Sequence, residues 1–221
     1  MPSLRETLTD ITTRHLAARE RVRTSWAATG PPTRRRRAFV VVSAAVLTQM
    51  MTAPGQTVGI SVFVDHLVTD LDLSRSGVSA AYLVGTGAGA LSLPLAGRLI
   101  DRRGLRWATT AFAAAFGAVL VAMAGVTGFA SLALGFAGTR MLGQGALTLT
   151  ASTTIAVSFD RHRGTAMGIK TALGGGLMSL IPLVAAGLIA AFGWRTTFAI
   201  LGISVWLILL PLARWVVADP R

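Results

Sequence analysis

Two stripes of polar side chains run through otherwise apolar sequence, and their spacing places each along one side of a helix. Gln49, Thr52, Gln56 and Gly59 follow at intervals of three, four and three residues, the repeat of a helical face. Arg140, Gln144, Thr148 and Ser152 recur strictly every fourth residue, a polar track that drifts only slowly around its helix. Amides, hydroxyls and a guanidinium so arranged can bind and orient a polar or anionic solute. Bond-breaking chemistry lacks its parts. Gly59-Ile60-Ser61 and Gly202-Ile203-Ser204 supply a G-x-S element, but His15, His66 and His162 all fall outside the middle of any apolar run. No general base therefore reaches either serine. Paired aspartates within an apolar run are missing, and the chain has no cysteine for a thiolate nucleophile, disulfide or metal site. Catalysis, a metal and a haem or other cofactor are not expected.

The elements that must carry these stripes are membrane helices. The sequence is 52% hydrophobic and 14% charged, against about 25% charged for a soluble domain. Beyond a polar arm at residues 1–37, six apolar segments are long enough to cross a bilayer, which takes about 20 residues. They run from Ala38 to Asp70 with an interruption at Pro54-Gly55, Val78 to Ile100, Trp107 to Val126, Phe129 to Phe159, Thr165 to Phe192 and Thr196 to Val217. The domain reading is thus arm 1–37, six-helix bundle 38–217 and a short stub 218–221. Ser74 is placed to cap the second helix and Gly193 to stop the fifth. Gly85 and Gly89, four apart within an apolar helix, form a packing notch and not a phosphate loop.

Pro54 cannot donate to the carbonyl of Met50, which leaves an acceptor beside Gln49 and Gln56. Two readings follow: a broken helix lining a mid-membrane cavity, or a proline kink whose amides join two helices. Arg140 lies deep in an apolar run, where an arginine needs a partner or water unless it snorkels to an interface. Lys170, the one lysine, reads as snorkelling near a helix end. Asp65, His66, Asp70 and Asp72 gather at the far end of the first segment, either as an exposed acidic turn or as a proton-uptake point centred on Asp65 and His66.

The net charge of +12 does not point to nucleic acid, because the basic residues sit in the connections between apolar runs. Nine arginines lie in the arm, four between the second and third segments, two between the fourth and fifth and two in the tail; only Arg75 and Arg195 lie on the opposite side. Both termini are therefore expected in the cytoplasm. In the arm, Leu4, Leu8, Ile11, Ala18, Val22 and Trp26 recur at helical spacing among arginines. That pattern suits a helix lying on anionic lipid or a solvated tail.

The connection Gly97-Arg98-Leu99-Ile100-Asp101-Arg102-Arg103-Gly104-Leu105-Arg106 resembles the signature loop between helices two and three of the major facilitator superfamily, G-x-L-x-D-[RK]-x-G-[RK]-[RK]. Leu105 stands where the first closing basic residue is expected. Arg140-Met141-Leu142-Gly143-Gln144-Gly145 resembles the family's fourth-helix R-x-x-x-G-x-G with one residue fewer. Arg163-Gly164-Thr165-Ala166-Met167-Gly168 looks like its R-G-x-A-x-G, and Gly193-Trp194-Arg195 with Phe198 like its G-W-R-x-x-F turn. The resemblance covers Ala38 to Val217. It implies an all-α membrane protein in which six helices, as two three-helix inverted repeats, form one half of a twelve-helix transporter of the plasma or inner membrane.

The two polar stripes make Gln49, Thr52, Gln56, Arg140, Gln144 and Thr148 the substrate-path candidates, and the resemblance makes Gly97, Asp101, Arg102, Gly104 and Arg106 a gating loop. The same resemblance gives Arg140 a role in proton coupling or conformational exchange. The stretch from Ala53 to Asp65, continued from Leu73 to Tyr82, looks like the monocarboxylate and oxalate/formate branch, although the first-helix lysine of monocarboxylate porters is absent. The implied activity is alternating-access transport of a small organic anion. The expected partners are the lipid bilayer, an anionic small molecule, and a separately encoded second half or a second copy of the chain. A non-transporting half that acts as an interaction partner is the alternative.

Overall fold

Glycine breaks the helical apolar runs at Gly104 and Gly193, whereas Pro94 and Pro211 stand inside helices. The computed structural model describes residues 32–159 and 161–215. Most of the basic arm, Asp160 and the expected stub at 218–221 lie outside the described residues. Helix α1 spans Pro32–Met51, followed by a 3-10 turn at Ala53–Gly55, α2 at Thr57–Ile60, a second 3-10 turn at Ser61–Phe63 and α3 at Val64–Asp70. Helices α4 (Arg75–Arg103) and α5 (Leu105–Met123) come next, then α6 (Phe129–Thr139), a π-helical stretch at Arg140–Leu147 and α7 (Thr148–Ser158). The chain closes with α8 (Arg163–Met178) and α9 (Ile181–Trp215), the latter broken at Gly193. Two units are distinguished, Met1–Phe39 and Val40–Arg221, and the helix pairings described below lie in the second.

Among the described residues, three helical runs are long and apolar enough to cross a membrane: Arg75–Arg103, Leu105–Met123 and the 53 residues of Arg163–Trp215. The first and fourth expected segments are apolar too. Each is interrupted, one by 3-10 turns around Pro54 and the other by the π-helical stretch. Leu83, Leu91, Leu134, Leu183 and Leu207 stand at least 71% exposed, a surface suited to lipid contact.

Local chemistry explains the helix ends. Ser74 caps α4 by accepting the Gly77 N–H at 3.0 Å, as its position predicts. At Gly104 (φ 88) and Gly193 (φ 77) the backbone enters the left-handed region, which a side chain would oppose.

For helices that lie in lipid, close packing of small residues replaces a hydrophobic drive. Beyond Gly193, α9 runs antiparallel to α5. Arg195 meets the carbonyls of Ala124 and Val126, Trp206 donates to the carbonyl of Ala114, and Arg106 donates to that of Arg214. Their backbones touch midway, where a Cβ on Gly202 would lie 2.6 Å from the Gly117 carbonyl oxygen. Helices α4 and α6 run parallel. A Cβ on Gly85 would stand 2.8 Å from the Phe136 carbonyl carbon, and one on Gly89 3.2 Å from Arg140 Cβ. The expected glycine notch is present.

The Gly193-Trp194-Arg195 turn ties three elements at one end of the bundle. The Trp194 indole N–H donates to Asp70 at 2.6 Å, Phe198 stacks on Phe63 at 4.1 Å, and Arg195 lies 4.4 Å over the Trp194 ring. One Arg195 nitrogen reaches both the Ala124 and Val126 carbonyls at 2.8 Å, groups that the end of α5 leaves without helical partners. Arg195→Ala is expected to cost about 2 kcal/mol, the loss of charge-assisted bonds at a negative helix end. A lowered melting temperature in detergent checks it; an unchanged one removes the clamp.

Candidate functional site

The fourth expected helix changes its winding at its polar track. Residues Arg140–Leu147 adopt a π-helix, whose wider turn is common at functional sites. Thr148 shows the altered register by donating its hydroxyl to the Gly143 carbonyl five residues back, at 3.2 Å. Arg140 itself is 6% exposed. Its guanidinium carbon lies 4.7 Å from the centre of the Tyr82 ring, and Nη1 stands 3.5 Å from Thr57 Oγ1. Thr57 and Tyr82 share a 2.6 Å hydrogen bond between hydroxyls. Gly89 makes room for the root of the arginine side chain.

This arginine does not snorkel outward. Its charge faces an aromatic ring and one hydroxyl, and among the described residues no carboxylate pairs with it. A cation over an aromatic face gains roughly 0.5 to 2 kcal/mol, which leaves most of a guanidinium's five donors unanswered. Such a group can draw an anion into the bundle.

Opposite Arg140 stands the break in the first segment. Pro54 forms the 3-10 turn Ala53–Gly55, and Gln56 is extended (φ −99, ψ 159) before α2 begins. The expected continuous face through Gln49, Thr52 and Gln56 is thus interrupted, because the chain unwinds between the second and third of them. The three still meet locally. Thr52, fully buried, donates to the Gln49 carbonyl at 2.6 Å and accepts from Gln56 Nε2 at 3.3 Å. Gln49 Oε1 is enclosed without a partner, the one such side-chain atom found among the described residues. The break lies against the π-helical stretch, where a Cβ on Gly55 would stand 3.1 Å from Gly143 Cα.

Gln144, in contrast, is exposed, and Thr148 turns back on its own helix. The structure brings Arg140 to the helix break but does not join Gln144 to Gln49 or Gln56 by any hydrogen bond. Sequence reasoning missed Thr57 and Tyr82. Tyr82 is the chain's single tyrosine and lies three residues before Gly85 on α4, a usable signal. Lys170 also departs from expectation: it is 5% exposed and donates to Ser152 Oγ at 3.0 Å.

At the charged connection, Gly104 accepts the Ala108 N–H at 3.1 Å and donates to Ile100 at 2.9 Å, so that α5 begins at once after α4 ends. Arg106 caps the Arg214 carbonyl, and Arg103 lies 5.0 Å over the Trp107 ring. A Cβ on Gly97 would meet nothing within 4 Å. Asp101 and Arg102 are exposed on the last turn of α4. If Asp101 acts in gating, Asp101→Ala lowers the maximal rate of solute uptake about tenfold, equivalent to ~1.4 kcal/mol, and leaves half-saturation unchanged. Weakened half-saturation at full rate would count against that role. At the other end, Asp65 pairs with Arg75 at 2.6 Å with both side chains about three-quarters exposed, and His66 is exposed.

A family model described as Major Facilitator Superfamily matches residues 38–221. No curated protein matches the chain significantly.

Proposed function

Because the chain belongs to the Major Facilitator Superfamily, a family of membrane transporters, we propose that it moves a small organic anion, such as a monocarboxylate, by alternating access. In this reading six segments between residues 38 and 217 cross the plasma or inner membrane, both ends lie in the cytoplasm, and residues 1–37 form a basic arm. Arg140 is the anion's main contact, flanked by Gln49, Thr52, Gln56, Gln144 and Thr148. Gly97, Asp101, Arg102, Gly104 and Arg106 form the gating loop, and Asp65 with His66 is the point of proton uptake. Six helices make half of the rocking pair, so a second half or a second copy completes the path.

The observation that carries this reading is the buried Arg140 charge, which has no carboxylate partner among the described residues and faces a helix break. An intramembrane cation so placed is costly unless an anion or water answers it. The test is uptake of radiolabelled formate, oxalate and lactate into liposomes that carry the full chain or a tandem of two copies. Saturable uptake of a carboxylate supports the proposal. Absence of uptake in both preparations would rule out completion of the path by a second copy, and saturable uptake of a neutral or cationic solute alone would overturn the anion assignment.

A further inference from the structure

We propose that the Thr57 hydroxyl occupies the seat of the solute's carboxylate, and that the Tyr82 hydroxyl is a second donor to that anion beside Arg140. The inference rests on the anion-transport reading above and adds two residues to the same site. Thr57 Oγ1 lies 2.6 Å from the Tyr82 hydroxyl oxygen and 3.5 Å from Arg140 Nη1. One oxygen thus faces a phenol and a guanidinium, two donors suited to a carboxylate oxygen. It answers them unequally. The 2.6 Å contact is a full hydrogen bond between hydroxyls, whereas 3.5 Å is long for a guanidinium N–H. An anionic oxygen in the same place would draw that N–H donor to about 2.8 Å.

What holds each partner decides which one yields. The Arg140 guanidinium lies 4.7 Å from the centre of the Tyr82 ring, and Phe136 packs at a right angle to it with 5.7 Å between ring centres. Gly85, three residues along α4, brings that helix against the Phe136 backbone, so the Tyr82 ring has little room to move. Thr57 is held less. It opens the four-residue α2 directly after the extended Gln56, and it is exposed. Threonine in a helix has two populated χ1 wells, so one rotation withdraws its hydroxyl. The phenol and the guanidinium then both lack an acceptor, and one carboxylate entering from the exposed Thr57 side serves the two. Thr57 is therefore a competitor that covers Arg140 until a solute replaces it, and Tyr82 is a contact of the bound anion.

Thr57→Ala and Tyr82→Phe delete the same hydrogen bond, so a bridge that only braces the fold would make the two variants alike. The proposal sets them apart. Formate is the probe, added to the full chain in lipid nanodiscs, and half-saturation is read from the formate-dependent rise in melting temperature. Thr57→Ala is expected to tighten it about threefold, because no fraction of the protein is then self-occupied. Tyr82→Phe keeps the aromatic face over Arg140 and is expected to weaken it about tenfold, the loss of one bond to a charged group. Thr57→Ser restores the wild-type value. Tyr82 is the chain's single tyrosine, so one carbon-13 resonance of labelled tyrosine reports on it alone. Formate is expected to shift that resonance saturably, and neutral formamide to leave it in place. Equal effects of the two variants, weaker binding by Thr57→Ala, wild-type binding by Tyr82→Phe, an equal shift with formamide, or no shift would each overturn the seat. Carboxylate uptake with no shift at Tyr82 sinks this inference alone. A saturable shift without uptake in either liposome preparation keeps the seat and rules out completion of the path by a second copy.

Discussion

Arg140→Ala is expected to reduce carboxylate uptake at least about 100-fold, a loss of ~2.7 kcal/mol, while the protein remains folded. The two effects separate for a physical reason. The Arg140 charge is buried, lies 4.7 Å from the Tyr82 ring centre, and has no carboxylate partner among the described residues. Removing it therefore relieves an uncompensated charge even as it forfeits packing. Uptake suffers without such compensation, since the anion loses its main attraction. Arg140→Lys keeps the charge but not the planar fork, so partial recovery is expected. Uptake assays beside melting curves in detergent decide the matter. Wild-type uptake by the alanine variant would remove Arg140 from the mechanism.

Gly55→Ala should damage the fold itself, by about 3 kcal/mol, the upper part of the range for overpacking. An added methyl would collide with the Thr139 carbonyl oxygen and stand 3.1 Å from Gly143 Cα, both of them backbone atoms. Backbone cannot move aside there without parting the broken first segment from the π-helical stretch. Gly143→Ala makes a useful contrast. Its new methyl would lie 2.8 Å from Phe116 ring atoms and 3.1 Å from Gly55 Cα, and an aromatic ring can shift more readily than a peptide group. A smaller loss is expected. Thermal unfolding of both variants tests the ranking, and Gly55→Ala melting like the wild type would show that this crossing is looser than described.

The two predictions differ in how far the sequence anticipates them. Arg140 stands out in the bare sequence as an arginine deep in an apolar run, and Pro54-Gly55 marks a break in the first segment. What faces them is another matter. Thr57 and Tyr82 are 25 residues apart in the chain and 83 and 58 residues from Arg140, so no local repeat links them. The π-helical winding was equally hidden, because a spacing of four suits either kind of turn. It becomes visible only when the Thr148 hydroxyl is found on the Gly143 carbonyl. Lys170 shows the same divide: near a helix end the pattern favours snorkelling, yet α7 supplies Ser152 and the amine is buried.

The sequence by itself determined the helical apolar segments, their breaks at Pro54, Gly104 and Gly193, the Ser74 cap and the family to which the chain belongs. Those features depend on backbone limits, hydrogen bonds within a few residues, and hydrophobicity summed along a run. Only the tertiary structure decided that Arg140 meets Tyr82 and Thr57, that Lys170 meets Ser152, and that Gln49 Oε1 has no donor. Which helix faces which is set by small residues such as Gly55, Gly89, Gly143 and Gly174. Their effect is to leave room, and a vacancy acquires meaning only when the neighbour that fills it is known.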